Sequence, residues 1–130
     1  LDHATTKRIN YSKGGDFMQR DCFIDEEGRV FKVESLHRAA ENLPTTIYHI
    51  DREAVLEEMV MWQIKNFFDF LVHFRRVMEA DLSVPLIVRS DGYVMDGWHR
   101  IVNAVYKGIS ELPEKRFINN PEPDEILKKP

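Results

Sequence analysis

The stretch Pro85 to Arg100 constrains the fold more than any other part of the chain. Pro85-Leu86-Ile87-Val88 is a short apolar run, Ser90-Asp91-Gly92 a turn, and Tyr93-Val94-Met95 a second apolar run. Two β-favouring runs around an Asp-Gly pair predict a hairpin. The second run meets Asp96-Gly97-Trp98-His99-Arg100 and passes directly into a helical pattern from Ile101 to Tyr106, with Gly108 placed as its αL terminator. A strand, a glycine turn and a helix N-terminus together form an anion site. The first-turn N–H groups of a helix lack intrahelical partners and carry the positive end of its dipole, so a phosphate or carboxylate is favoured there. Arg100 adds a full charge, and Gly97 permits positive φ or close approach of a ligand. Asp96 either caps the helix or holds a cation such as Mg²⁺ beside the anion.

A chain of 130 residues, 43% hydrophobic and 31% charged, suits one globular domain with a sizeable core. Its net charge of −4 argues against nonspecific duplex binding over the whole surface, so any anion site must be local. Cys22 is the only cysteine, which excludes an internal disulfide and a cysteine-rich zinc site and makes a reducing, cytoplasmic setting the default. Cys22 itself is expected to be a buried small residue. The most apolar segment is interrupted by Lys65, Asp69, His73 and Arg75, so no membrane span is expected. His3, His37, His49 and His73 show no His-x-x-x-His spacing, so no structural zinc site is expected either.

The chain starts at Leu1, and Met18 is a candidate natural start. Residues 1–17 are polar and are expected to be an N-terminal arm or an extension foreign to the fold. Cys22 to Ile24 and Arg29 to Val33, separated by Asp25-Glu26-Glu27-Gly28, predict a hairpin. Ser35 is the expected cap of a short helix with Leu36, Ala39, Ala40 and Leu43 on its apolar face and Pro44 as its stop. Thr45 to Ile50 is expected to be a strand. Asp51 opens a helical half in which Val60, Ile64, Phe67, Leu71, Phe74 and Met78 recur at spacings of four, three, four, three and four. Such a stripe normally buries itself, and Phe68, Phe70, Val72 and Val77 broaden it, so a core is preferred to an aromatic platform for bases. A dimer interface is also compatible with it. Arg75 and Arg76 suit the dipole at the end of that helix. Leu112 to Ile118 is expected to be a last strand, confined by Pro113 to an edge or a strand start. Residues 119–130, with three prolines, are expected to be a solvated polar tail.

From Pro85 to Gly108 the sequence resembles the ParB/sulfiredoxin superfamily, in which a hairpin is followed by a Gly-x-His-Arg type motif opening a helix. The matching residues are Gly97-Trp98-His99-Arg100, preceded by Pro-Leu-Ile-Val and the Asp91-Gly92 turn, as in the Asp-Gly-x-His-Arg branch. The helix and strand at Ser35 to Ile50 agree in outline. The resemblance implies an α+β fold, a single small ParB/sulfiredoxin-like domain over residues 18–118 with a mixed sheet packed on helices.

It further implies that Gly97, Trp98, His99 and Arg100 bind the phosphates of a nucleotide such as ATP, ADP or CTP. His99 would donate a hydrogen bond and Arg100 a charge-assisted one, with Trp98 packed, lid-like or covering an adenine. Asp96 is the candidate catalytic or Mg²⁺-binding residue, with His49 and Asp51 as minor candidates. Sulfiredoxin carries its catalytic cysteine where this chain has Trp98, and indole is no nucleophile, so sulfinic acid repair is not expected. ParB partition proteins continue into a helix-turn-helix domain that is not found here, so DNA binding is not expected from this chain alone. The expected function is nucleotide binding with Mg²⁺-dependent hydrolysis or phosphoryl transfer to a small acceptor, as in a nucleotidase or small-molecule kinase. The alternative is a noncatalytic nucleotide-dependent module acting with a protein or DNA partner.

Overall fold

Two four-stranded sheets and four helices make up the computed structural model, which describes residues 7–10 and 21–128. The first sheet is antiparallel throughout, in the order β1 (Lys7–Asn10), β2 (Asp21–Ile24), β3 (Arg29–Lys32), β8 (Glu125–Ile126). The β2–β3 hairpin closes as expected, with Gly28 at φ +81° and the buried Asp25 carboxylate accepting from the N–H groups of Glu27 and Arg29 at 2.9 Å each. The second sheet is mixed. It runs β4 (Thr46–His49), β7 (Glu111–Arg116), β5 (Leu86–Val88), β6 (Val94–Asp96), with β5 and β7 parallel and the other pairs antiparallel.

Helix α1 (Val33–Ala39) follows β3 directly, α2 (Arg52–Met61) and α3 (Phe67–Met78) lie between β4 and β5, and α4 (Trp98–Tyr106) follows β6. The molecule is an α+β fold. Phe23, Leu36, Leu86, Ile87, Val94, Met95, Trp98 and Ile101 belong to one buried cluster, so both hairpins and α4 share a core. Among the described residues no helix is long and apolar enough to cross a membrane.

Several expectations are corrected. Lys7–Asn10 of the expected arm pairs with β2, because an edge strand needs only a backbone partner; the rest of residues 1–17 lies outside the described residues. The tail does not simply extend into solvent. Asp124 accepts from the Lys32 N–H and the Ser35 hydroxyl at 2.7 Å each, and its own N–H bonds to Val30 O, which docks β8 on β3. Ser35 is therefore inside α1, where Lys32 is the N-cap without a side-chain bond. Pro113 sits in an interior strand. The ladder with β5 starts one residue later, at Leu86↔Glu114, so a missing N–H is tolerated there.

The long helical stripe is broken and exposed. Trp62 ends α2, Gln63 takes φ +52°, and Asn66 caps α3 by accepting from Asp69 N at 2.8 Å. All six stripe residues from Val60 to Met78 are exposed, and Val77 is the residue of α3 that is buried.

The β5–β6 turn is held electrostatically. Arg89, itself buried beside the Phe23 and Tyr93 rings, grips Asp91 with two hydrogen bonds of 2.9 and 2.8 Å. The hydrogen bonds from Arg89 hold the Asp91 carboxyl below the usual carboxylate range, against a smaller opposing effect of burial. A carboxyl whose pKa falls on folding stabilises the protein above its unfolded value near 4 and loses that contribution as pH falls through the folded value. Asp91→Asn is accordingly expected to cost about 1 kcal/mol at pH 7, allowing for solvent screening of the exposed Asp91 carboxylate. Urea denaturation at pH 7 and pH 2 checks it: the gap between variant and wild type should close in acid, and an equal gap at both pH values contradicts the assignment.

Candidate functional site at the β6–α4 junction

Strand β6 ends on Asp96, and the next residue turns the chain into α4. Gly97 is buried at φ +118°, and a Cβ there would collide with the Leu86 side chain of β5. Packing against β5 and the backbone angle each demand glycine. Gly97 is the N-cap of α4, and no side chain caps the helix, so the Asp96 carboxylate is not the cap that the sequence allowed.

Instead Asp96 is the centre of a polar clasp. Its Oδ2 accepts from Arg100 Nη2 and from His37 Nε2, both at 2.8 Å. The Asp96 and Arg100 side chains are only 13% and 12% exposed, so the pair is largely removed from water. Arg100 also donates through Nη1 to the carbonyls of Val84 and Pro85, at 2.7 and 2.8 Å. One guanidinium thus ties α4 to the loop entering β5, and His37 ties the same carboxylate to α1. With Nε2–H donating to a carboxylate, the neutral form of the His37 ring carries its lone pair on Nδ1, and the ring is half-exposed.

The residues between Asp96 and Arg100 point elsewhere, as 100° per residue requires. Trp98 is fully in the core, its Nε1 donating to Val94 O at 3.1 Å and its ring tilted against Tyr93. Its side chain therefore has no face for an adenine, and it can meet a ligand only through its backbone. His99 turns toward α3: its Nε2 lies 2.9 Å from His73 Nδ1, and both imidazoles stack on Trp62 at centroid distances of 4.6 and 4.5 Å. An N–H···N bond needs a lone pair on one side, so at least one of these two rings is neutral. Below them Trp62 Nε1 and the Tyr93 hydroxyl both donate to the buried Glu58, at 3.3 and 2.9 Å.

The structure brings Asp96, Gly97 and Arg100 together and adds His37, which nothing in the sequence linked to them across fifty-nine positions. It places His49 on the surface against Glu111, and gives Asp51 to the N-terminus of α2, where it accepts from Glu53 N at 3.0 Å. Asp96 Oδ2 is shared by Arg100 and His37, so a cation at this carboxylate would sit beside a guanidinium, and no group of three or more His, Cys, Asp or Glu residues that could hold a metal is found among the described residues. No family model, no curated protein and no solved structure matches this chain. The chemistry on offer is that of the clasp itself: a charge-balanced carboxylate with an accessible imidazole, at the positive end of a helix.

Gly97→Ala is expected to lower stability by about 1–3 kcal/mol from the backbone alone, with displacement of Leu86 adding to it. A drop in Tm of roughly 5–10 °C follows for a domain of this size, measured by thermal denaturation. A variant melting within a degree of wild type contradicts the close packing on β5.

Proposed function

We propose that this chain is a nucleotide-binding domain of the ParB/sulfiredoxin type, taking the phosphates of a nucleoside di- or triphosphate at the N-terminus of α4. The observation that carries this reading is the clasp of His37 and Arg100 on Asp96, 2.8 Å to either side, at a helix start that no side chain caps. First-turn N–H groups and the dipole favour the anion, and the Arg100 guanidinium sets a positive charge beside it. The motif Asp96-Gly97-Trp98-His99-Arg100 supports the same placement by its resemblance to that superfamily.

Turnover in this reading is hydrolysis by water, with His37 as the general base. Asp96 orients the imidazole through Nε2–H, and Nδ1 takes the proton of the attacking water. Trp98 offers no nucleophile, which agrees with hydrolysis rather than a covalent route. A specific observation also favours the noncatalytic alternative. Arg100 commits its guanidinium to Asp96 and to two carbonyls, which makes it a positioning group more than a clamp on a transferring phosphoryl.

Thermal shift and phosphate release with ATP, ADP, CTP and GTP, with and without Mg²⁺, test both. A bound nucleotide at a hundredfold excess over Kd is expected to stabilise the domain by about 2.7 kcal/mol. Since His37 is half-exposed, its variants should fold. His37→Gln keeps a donor to Asp96 and is expected to retain the shift while losing turnover; His37→Glu sets a second carboxylate against the phosphates and should abolish the shift. Shift without turnover in wild type selects the noncatalytic module. No shift with any nucleotide sinks the proposal.

A further inference from the structure

Helix α3 buries little of itself. Phe67, Leu71, Phe74 and Met78 are 72, 43, 49 and 43% exposed and lie along one line at spacings of four, three and four, the repeat of a helix–helix seam. The line borders a cleft of about 250 Å³ between α2, α3 and α4, lined by Met59, Ile64, Phe70, Phe74, Met78 and Tyr106 among others. At ~200 Å² for a large side chain, the exposed parts of these four α3 residues and of Met59, Ile64 and Tyr106 make up roughly 700 Å² of mostly apolar surface. Monomers seldom show patches beyond about 300–600 Å², whereas one side of a standard interface buries about 800 Å².

We infer that this face is the interface with a second copy of the chain, the two α3 helices packing antiparallel across a twofold axis midway between Val72 and His73. The sequence of the stripe is self-complementary in that register. Phe67 of one copy meets Met78 of the other, and Leu71 meets Phe74, so each aromatic ring faces a flexible or branched aliphatic side chain. Beside the seam, Phe68 of each copy comes against Arg75 of the other, ring to guanidinium, and the two helix dipoles oppose. Arg75 is held in place by Glu79 at 3.2 Å. A parallel pair would instead set Phe67 on Phe67 and Phe74 on Phe74. This inference is independent of nucleotide binding.

Sedimentation velocity of the full chain from 1 to 100 μM, a range suited to about micromolar affinity, is expected to show a monomer–dimer equilibrium. Leu71→Glu combined with Phe74→Glu should give monomer throughout with unchanged far-UV circular dichroism, because both side chains are exposed within the protomer. The register is read by mild oxidation of mixed Phe67→Cys and Met78→Cys proteins. Disulfide-linked heterodimers should form, while either variant alone stays unlinked, since its two cysteines lie eleven residues of helix, roughly 16 Å, apart. Wild type, whose Cys22 is buried, is the control. A monomer at every concentration overturns the inference, including one that takes up an apolar dye in the cleft. A dimer that survives the double glutamate variant, or linkage of Phe67→Cys with itself, overturns it equally.

Discussion

The Asp96 carboxylate between His37 and Arg100 is the contact on which the functional end of the molecule depends. Taking a carboxylate and a guanidinium out of water is costly unless both are paired and their remaining hydrogen-bonding capacity is met. Here Arg100 meets three oxygens, one charged and two from the backbone. The arrangement fixes the loop before β5, the end of β6 and the first turn of α4 relative to one another. His37 then brings in α1, whose Leu36 is buried in the shared core.

Three consecutive residues do three different jobs because a helix turns about 100° at each step. Trp98 drives into the core, His99 reaches α3 through His73 and Trp62, and Arg100 reaches back to the loop before β5. The first turn of α4 is thereby pinned on all sides, and its direction follows from packing. Gly97 makes this possible: only without a Cβ does the backbone clear Leu86 while turning from strand to helix. The glycine that reads in the sequence as room for a ligand is, in the structure, first of all room for β5.

The local elements were legible in the sequence where side chain and backbone agree. Both hairpins carry Gly28 or Gly92 at positive φ and Asp51 caps α2, while the α+β class was implied by the superfamily resemblance of the Pro85 to Gly108 stretch. The candidate site was legible as a junction but not as a cluster. Its chain-local members Asp96, Gly97 and Arg100 fall within one helical turn, whereas His37 arrives by the tertiary fold. His73 and Glu58 were hidden for the same reason, since each gains its meaning from a partner on another element. Pro113 misled because a proline rule describes ladders on both sides of a strand, while one ladder here begins just after it.

Spacing failed most clearly at α3, and the failure has a physical cause. A period of 3.5 to 3.6 residues shows that one side of a helix is apolar and says nothing about what lies opposite. The helix does not need burial of that side to persist. Asn66 caps it, Arg75 pairs with Glu79 at its end, and Phe67, Phe70 and Phe74 stack along its surface with centroids 5.9 and 5.8 Å apart. Those rings shield one another at i, i+3 and i+4 separations, which supports the helix locally. Its inner side is half-buried against α4, where His73 meets His99. A helix with a secured inner side, local support and an aromatic outer side has the composition of a core element and the position of a surface one, and the same periodicity describes both.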